Sequence, residues 1–290
     1  MASVVQWISG TRPRTLPNSI APVLVGAGAA QHIGAFRLPW ALLALLVSVS
    51  LQVGVNYAND YSDGIRGTDD QRVGPFRLVG SGAATPSSVR LAAFVALGVA
   101  AVAGLVLVVL SGHWWMIAFG AVCILAAWFY TGGKRPYGYM GLGELAVFIF
   151  FGPAAVLGTL YVLSGEVTGI GIGAAIAVGC FSTAVMVGNS LRDIPTDVVA
   201  GKRTLAVVLG DKDTRRFYLA LVAVPFLIAL GMAVRVPFAL LGFLALPVLL
   251  PAVRRVASGK KGRELIPVLQ FTGLAMLTWS VLVTVALWLD

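Results

Sequence analysis

Apolar residues run along this chain in long unbroken stretches, without the strict alternation of a half-buried strand. Nine of them, at 16–34, 38–58, 89–111, 114–130, 141–163, 168–190, 216–235, 237–256 and 265–289, reach or approach the length a helix needs to cross a hydrocarbon core, roughly 20 residues. The pattern predicts an all-α fold: a polytopic membrane bundle of nine transmembrane helices in a single domain, residues 1–290. A transmembrane β-barrel does not fit, because its strands alternate apolar and polar positions. Val4 to Arg14, with Trp7, Arg12 and Arg14, reads as an interfacial segment ahead of the first span. A cleavable leader is not expected, since no charged region followed by an apolar core and a small-residue cleavage site opens the chain.

Two polar stretches punctuate this pattern. Asn56-Tyr-Ala-Asn-Asp-Tyr-Ser-Asp63 closes the second apolar run, and Asn189-Ser-Leu-Arg-Asp-Ile-Pro-Thr-Asp197 closes the sixth. Only 12 residues are Asp or Glu, and Asp60, Asp63, Asp193 and Asp197 are four of them. An acid near a membrane costs about 2.5–3.5 kcal/mol at the bilayer centre, so acids gathered at span ends need a chemical reason. Their positions suggest two four-helix units, 16–130 and 141–256, with a ninth span at 265–289. Four spans restore the starting orientation, so the units would be parallel, unlike the inverted repeats of many transporters. The echo fits two registers: Asn56 and Asp60 on Asn189 and Asp193, or Asn59 and Asp63 on the same pair.

Composition agrees with a membrane chain. Charged residues make up 11%, against about 25% in a soluble domain. Mean hydropathy is +0.90, and 34 glycines suit close helix approach in lipid. The net charge of +9 is scattered over loops with no nucleic-acid motif beside it. With nine spans, every Lys and Arg except Arg37 and Arg235 falls on one side, which places the amino terminus and both acidic stretches in the cytoplasm and the carboxyl terminus outside. Cys123 and Cys180 lack metal-type spacing and read as packing residues.

Residues four apart share a helix face. Asn59 with Asp63, Asn189 with Asp193, and Asp193 with Asp197 could each present two oxygens, although Pro195 predicts a bend or a fresh start in the last pair. Oxygen donors without His or Cys suit Mg2+, which takes one or two carboxylates and completes its octahedron with water and phosphate. Two facing patches could hold two Mg2+ ions on a diphosphate. The plainer alternative is that these acids cap helices or pair with arginines. Cations stand nearby: Arg66, Arg72 and Arg77 after the first stretch, Lys134 and Arg135 after the fourth span, and Lys202 after the second stretch. Such donors help a diphosphate leave, whereas loop orientation alone explains the cations further on. Tyr57, Tyr61, Trp128, Phe148, Phe150 and Phe151 could face an allylic cation or simply pack.

Together these residues resemble the UbiA superfamily of intramembrane aromatic prenyltransferases. The family pattern is Asn-Asp-x-x-Asp-x-x-x-Asp in a first loop and Asp-x-x-x-Asp in a second. Asn59, Asp60 and Asp63 match the first, and Asp193 and Asp197 the second. Gly67 stands where the third Asp of the first motif belongs, leaving Asp69 or Asp70 to serve there. Tyr130 and Lys134 match a Tyr-x-x-x-Lys element between the motifs. Arg12 to Pro17, Asn56 to Asp70, Arg72 to Leu78 and Leu191 to Ala206 are similar to the menaquinone-pathway branch of that superfamily.

The resemblance implies Mg2+-dependent transfer of a polyprenyl group from its diphosphate to 1,4-dihydroxy-2-naphthoate at the cytoplasmic face of the cell membrane. It implies catalytic roles for Asp60, Asp63, Asp193, Asp197 and Lys134, and metal ligands at Asn59, Asp63, Asn189, Asp193 and Asp197. Diphosphate would fall to Asn56, Arg66, Arg72, Tyr130, Lys134, Arg135 and Lys202, and the acceptor carboxylate to Arg12, Arg14 or Arg77. Another aromatic acceptor, such as 4-hydroxybenzoate, is the near alternative. A CDP-alcohol phosphotransferase shares Asp60-x-x-Asp63-Gly64 but would carry its second acid pair on the same helix. A transporter would place ionisable groups near the midplane rather than at one end.

Overall fold

The computed structural model of the protein describes residues 2–67, 76–199, 201 and 203–290, and its regular elements there are all helical. A short helix α1 (Val4–Gly10) opens the chain, capped by Ser3 and Gln6 in a reciprocal box. Its Val4, Val5 and Ile8 are exposed, and the Tyr57 hydroxyl donates to the Trp7 carbonyl (3.0 Å), which fastens α1 to the bundle.

Helix α2 (Pro17–His32) is the central post. Nearly every residue from Asn18 to Ala30 is buried, because small side chains let its neighbours close in. A Cβ built on Gly26 would lie 2.6 Å from the Val156 carbonyl oxygen, so this crossing needs glycine. Helices α3 (Leu38–Ile65) and α4 (Pro86–Ser111) pack as a pair, and α5 (Met116–Phe129) returns beside them. Thr85 caps α4 by accepting from the Ser88 amide, and Pro86 follows in the first turn, where its missing N–H costs nothing.

The next crossing is composite: α6 (Gly143–Ile149), a π-helical segment Phe150–Leu157, then α7 (Gly158–Ser164). Pro153 inside it cannot donate to the ladder and crowds the preceding turn, which accounts for the wider winding there. Helices α8 (Gly169–Val199) and α9 (Leu205–Ala233) pair next, with α9 broken at Gly210 (φ 75°, ψ 173°). A 3-10 stretch, Pro237–Ala245, leads into α10 (Leu246–Ala257), and a 3-10 turn at Gly262–Leu265 leads into α11 (Ile266–Leu289), which packs on α2. Phe181, Trp279 and Tyr218 are fully buried between these helices, while Val102, Val109, Leu227 and Leu244 lie exposed on an apolar outer surface. A surface of that kind fits contact with lipid, where helices satisfy their own backbone.

Each predicted span is a helical segment, but among the described residues seven helices rather than nine are long and apolar enough to cross a membrane by themselves. The shortfall lies in α2 and α5, of 16 and 14 residues. At 1.5 Å per residue α5 rises about 21 Å, short of a hydrocarbon core of about 30 Å. Two ends also move. Helix α3 continues past 58 to Ile65, and α8 past 190 to Val199, running through Pro195 instead of restarting there. Polar side chains that face protein partners let a helix go on, so both acidic stretches are helical rather than loops.

Candidate active site

Both acidic stretches thus occupy the last turns of long helices, where the backbone dipole already concentrates negative charge. Carboxylates there need compensation, and the structure supplies it differently at each. On α3, Asp60 is fully buried and accepts the backbone amides of Leu78 (2.8 Å) and Val79 (3.0 Å). Asp63 accepts from Arg77 Nη2 (3.2 Å) and from the Tyr139 hydroxyl. Asn56 donates to the Thr11 carbonyl (2.8 Å) and to Thr15 Oγ1 (3.0 Å), while Asn59 accepts from Thr131 Oγ1 (2.7 Å). On α8, Arg192 grips Asp193 through Nε and Nη2, each at 2.7 Å, and its Nη2 also reaches Asn189 Oδ1 at 2.7 Å. Asp197 lies one turn on, close enough to Glu144 for their charges to repel.

The segment from Tyr130 to Tyr139 joins the two helix ends. Arg66 straps it by donating to the carbonyls of Thr131 and Gly133 (2.5 Å each) and lies over the Tyr139 ring. Lys134 and Arg135 are exposed on it. Burial, then the Asp63 carboxylate, push the Tyr139 phenol well above its ordinary value, and burial takes Tyr137 up to about 12. Both keep their protons at neutral pH and can donate hydrogen bonds.

One cavity of about 890 Å³ connects these groups to the interior. At the acidic end it is lined by Asn56, Asn59, Tyr130, Tyr137, Asn189 and Arg192, with Arg12 and Arg14 beside them. Its wall then turns apolar and reaches Leu107, Met116 and Val162, at the opposite ends of α4, α5 and α7. Tyr130 and Met116 are separated by the length of α5, so the cavity extends about 20 Å along the bundle. Charge and hydrogen-bonding capacity at one end and a long dry channel behind it suit an amphiphile with an anionic head.

Residues 19–281 match the model of the UbiA prenyltransferase family. The chain belongs to the UbiA prenyltransferase family. A 1,4-dihydroxy-2-naphthoate octaprenyltransferase of Mycobacterium tuberculosis is 58% identical over 287 residues, covering 99% of this chain and 98% of that one. The Escherichia coli protein of the same name is 38% identical over 221 residues, 74% of this chain and 72% of its own. Among solved structures, a UbiA homolog from Aeropyrum pernix K1 superposes with a TM-score of 0.72 at 17% identity, over 93% of this chain and 96% of that one. Another from Archaeoglobus fulgidus, bound to GPP and Mg2+, gives 0.68 at 16%, over 96% and 99%. At those identities the likeness shows the UbiA fold.

Within that fold the structure brings Asn56, Asn59, Tyr130, Asn189, Arg12 and Arg14 to one cavity, and turns Asp60 and Arg77 toward other partners. Arg72 and Lys202, and the alternatives Asp69 and Asp70, lie outside the described residues. Of the six aromatics singled out above, Phe150 and Phe151 reach the cavity wall. Trp128 stacks instead on Phe94 and Tyr61, and Tyr57 packs on Trp7. Sequence reasoning missed Arg192, Tyr139 and Thr131. Arg192 had a signal, its place inside the second motif; the other two meet their partners only through tertiary folding.

Among the described residues no three His, Cys, Asp or Glu side chains converge, so an ion held here would draw on carboxamide oxygens, water and substrate as well. Of the five residues expected to hold a metal, Asn59 and Asn189 line the cavity, whereas Asp63, Asp193 and Asp197 are not in its lining; all five side chains carry oxygen donors, the chemistry that suits a hard divalent cation.

Proposed function

We propose that this protein transfers a polyprenyl group from polyprenyl diphosphate to 1,4-dihydroxy-2-naphthoate, with loss of diphosphate and CO2, giving demethylmenaquinol, the quinol form of demethylmenaquinone. The observation that carries the reading is the single cavity with hydrogen-bonding groups of both motif helices at one end and an apolar channel behind them. The full-length relative at 58% identity supports the acceptor. Asn59, Asp63, Asn189, Asp193 and Asp197 would hold Mg2+, in one or two ions, and bound Mg2+ would neutralise charge on the departing diphosphate.

The chain's own residues do the rest. Lys134, Arg135 and the Tyr130 hydroxyl donate to the diphosphate, with Arg72 and Lys202 as further cations, while Arg66 holds the strap that carries Lys134 and Asn56 braces the cavity floor. Asp60 acts through the 78–79 backbone it fixes. As the C–O bond of the donor breaks, Phe150 and Phe151 present ring faces to the allylic cation. The electron-rich ring attacks the allylic cation through the carbon bearing the carboxylate, forming the new bond to the prenyl carbon. The bond from that ring carbon to its carboxylate then breaks, its electron pair returns to the ring, and CO2 leaves, so no strong base is required. Arg12 and Arg14, which line the cavity, would orient the acceptor carboxylate, whereas Arg77 is engaged with Asp63.

The membrane arrangement we propose has nine crossings in two parallel units, α2 and α5 completing the set, with a cytoplasmic amino terminus, a cytoplasmic acidic end and an outside carboxyl terminus. The distribution of Lys and Arg supports it. The test is purified protein in detergent with Mg2+, a radiolabelled polyprenyl diphosphate and a panel of aromatic acceptors. Labelled quinol with release of CO2 from 1,4-dihydroxy-2-naphthoate is expected. Product from 4-hydroxybenzoate alone would overturn the acceptor.

A further inference from the structure

Arg192 stands immediately before Asp193, lines the cavity, and has a side chain only 3% exposed. Its fork occupies both carboxylate oxygens of Asp193, at 2.7 Å each, and its Nη2 also takes the carboxamide oxygen of Asn189, one turn back on α8, at 2.7 Å. These three oxygens are ones that the second motif would offer to a metal. In the first motif the corresponding contact is looser: Arg77 meets Asp63 through a single nitrogen at 3.2 Å. A bidentate guanidinium uses the in-plane lone pairs of a carboxylate, and its charge opposes a second cation a few ångströms away. So a divalent ion and this fork compete for the same oxygens.

A buried guanidinium is not given up to nothing, since an unpaired buried charge is costly. Phosphate oxygens offer it an equivalent partner, because the planar fork matches phosphate as well as carboxylate. Resting on the diphosphate-and-metal reading above, we propose that Arg192 is the resident counter-ion of the second motif and yields Asp193 and Asn189 to a divalent ion only when a diphosphate arrives to receive the guanidinium. Arg192 then becomes a diphosphate ligand, and metal and diphosphate bind cooperatively. Before substrate arrives, the fork keeps the α8 carboxylate compensated at a helix end that disfavours it.

The test measures binding, not turnover. Protein-bound Mn2+, standing in for Mg2+, is followed by electron paramagnetic resonance with and without an unreactive prenyl thiolodiphosphate. Wild type is expected to bind Mn2+ at least about tenfold more tightly with the analogue present, as loss of a bidentate competitor implies. Arg192→Gln should bind Mn2+ alone about tenfold more tightly than wild type, lose most of that cooperativity, and bind the analogue more weakly. Arg192→Lys, which keeps the charge without the fork, should fall between them. Equal Mn2+ affinity for wild type and Arg192→Gln without analogue would overturn the inference. So would wild-type Mn2+ affinity indifferent to the analogue, a result that needs no variant to fold. If wild type binds neither Mn2+ nor analogue, the diphosphate-and-metal reading falls, and this inference with it.

Discussion

The acidic ends of α3 and α8 carry matching residues but are held in opposite ways. At α3 the partners come from elsewhere in the chain: the Leu78 and Val79 amides, Arg77, Tyr139 and Thr131. At α8 a major partner of Asp193 is its immediate neighbour, Arg192. The first motif is therefore an organiser, pulling two connecting segments around the cavity mouth. The second is local, and its ion pair can open without dismantling a loop. Similar motifs at two helix ends thus do different structural work, which a symmetric clamp would not require.

The largest expected effect tests what the two ends share. Asp63→Asn combined with Asp193→Asn should lower product formation by at least about 10³-fold, with each single change costing about 10²-fold, the scale seen when groups that stabilise developing charge are removed. Asparagine is the suitable replacement because it removes the carboxylate charge yet leaves one oxygen to accept from buried Arg192, which alanine would not. Turnover within tenfold of wild type in the double variant would show that the acids only brace helix ends.

A smaller effect separates the two ends. Asp60→Ala strands two backbone amides, one of them on fully buried Leu78, and should cost about 2–4 kcal/mol, read as a lower melting temperature in detergent. Asp60→Asn keeps one acceptor oxygen and should recover about half of that loss. An Asp60→Ala protein as stable as wild type but inactive would move Asp60 from an organising role to the chemistry.

Much of this was legible in the sequence. Helices came from unbroken apolar runs, which lipid permits in few other forms, and the site came from polar residues where such runs close. The true ends of α3 and α8 were hidden because Asn59, Asp63, Asn189 and Asp193 face protein partners, and helix ends are read from polarity that usually means water. The split between Asp60 and Asp63 was also hidden, since it depends on amides 18 and 19 residues away in the chain. Arg192 was visible but passed as one more basic residue on the positive side. The crossing count was the reverse case: composition marked α2 and α5 as spans, but their helical lengths are set by Pro17 and His32 and by Met116 and Phe129.

The central claim is that one cavity takes a charged head at the motif end and an isoprenoid tail at the other. A polyprenyl diphosphate carrying a photoreactive diazirine on a mid-chain isoprene unit tests it directly, with labelled peptides identified by mass spectrometry. The account predicts labelling of the channel wall around Leu107, Met116 and Val162, suppressed by excess unlabelled donor. Specific, competed labelling confined to the outer face of α4, around Leu91 and Val95, would contradict it.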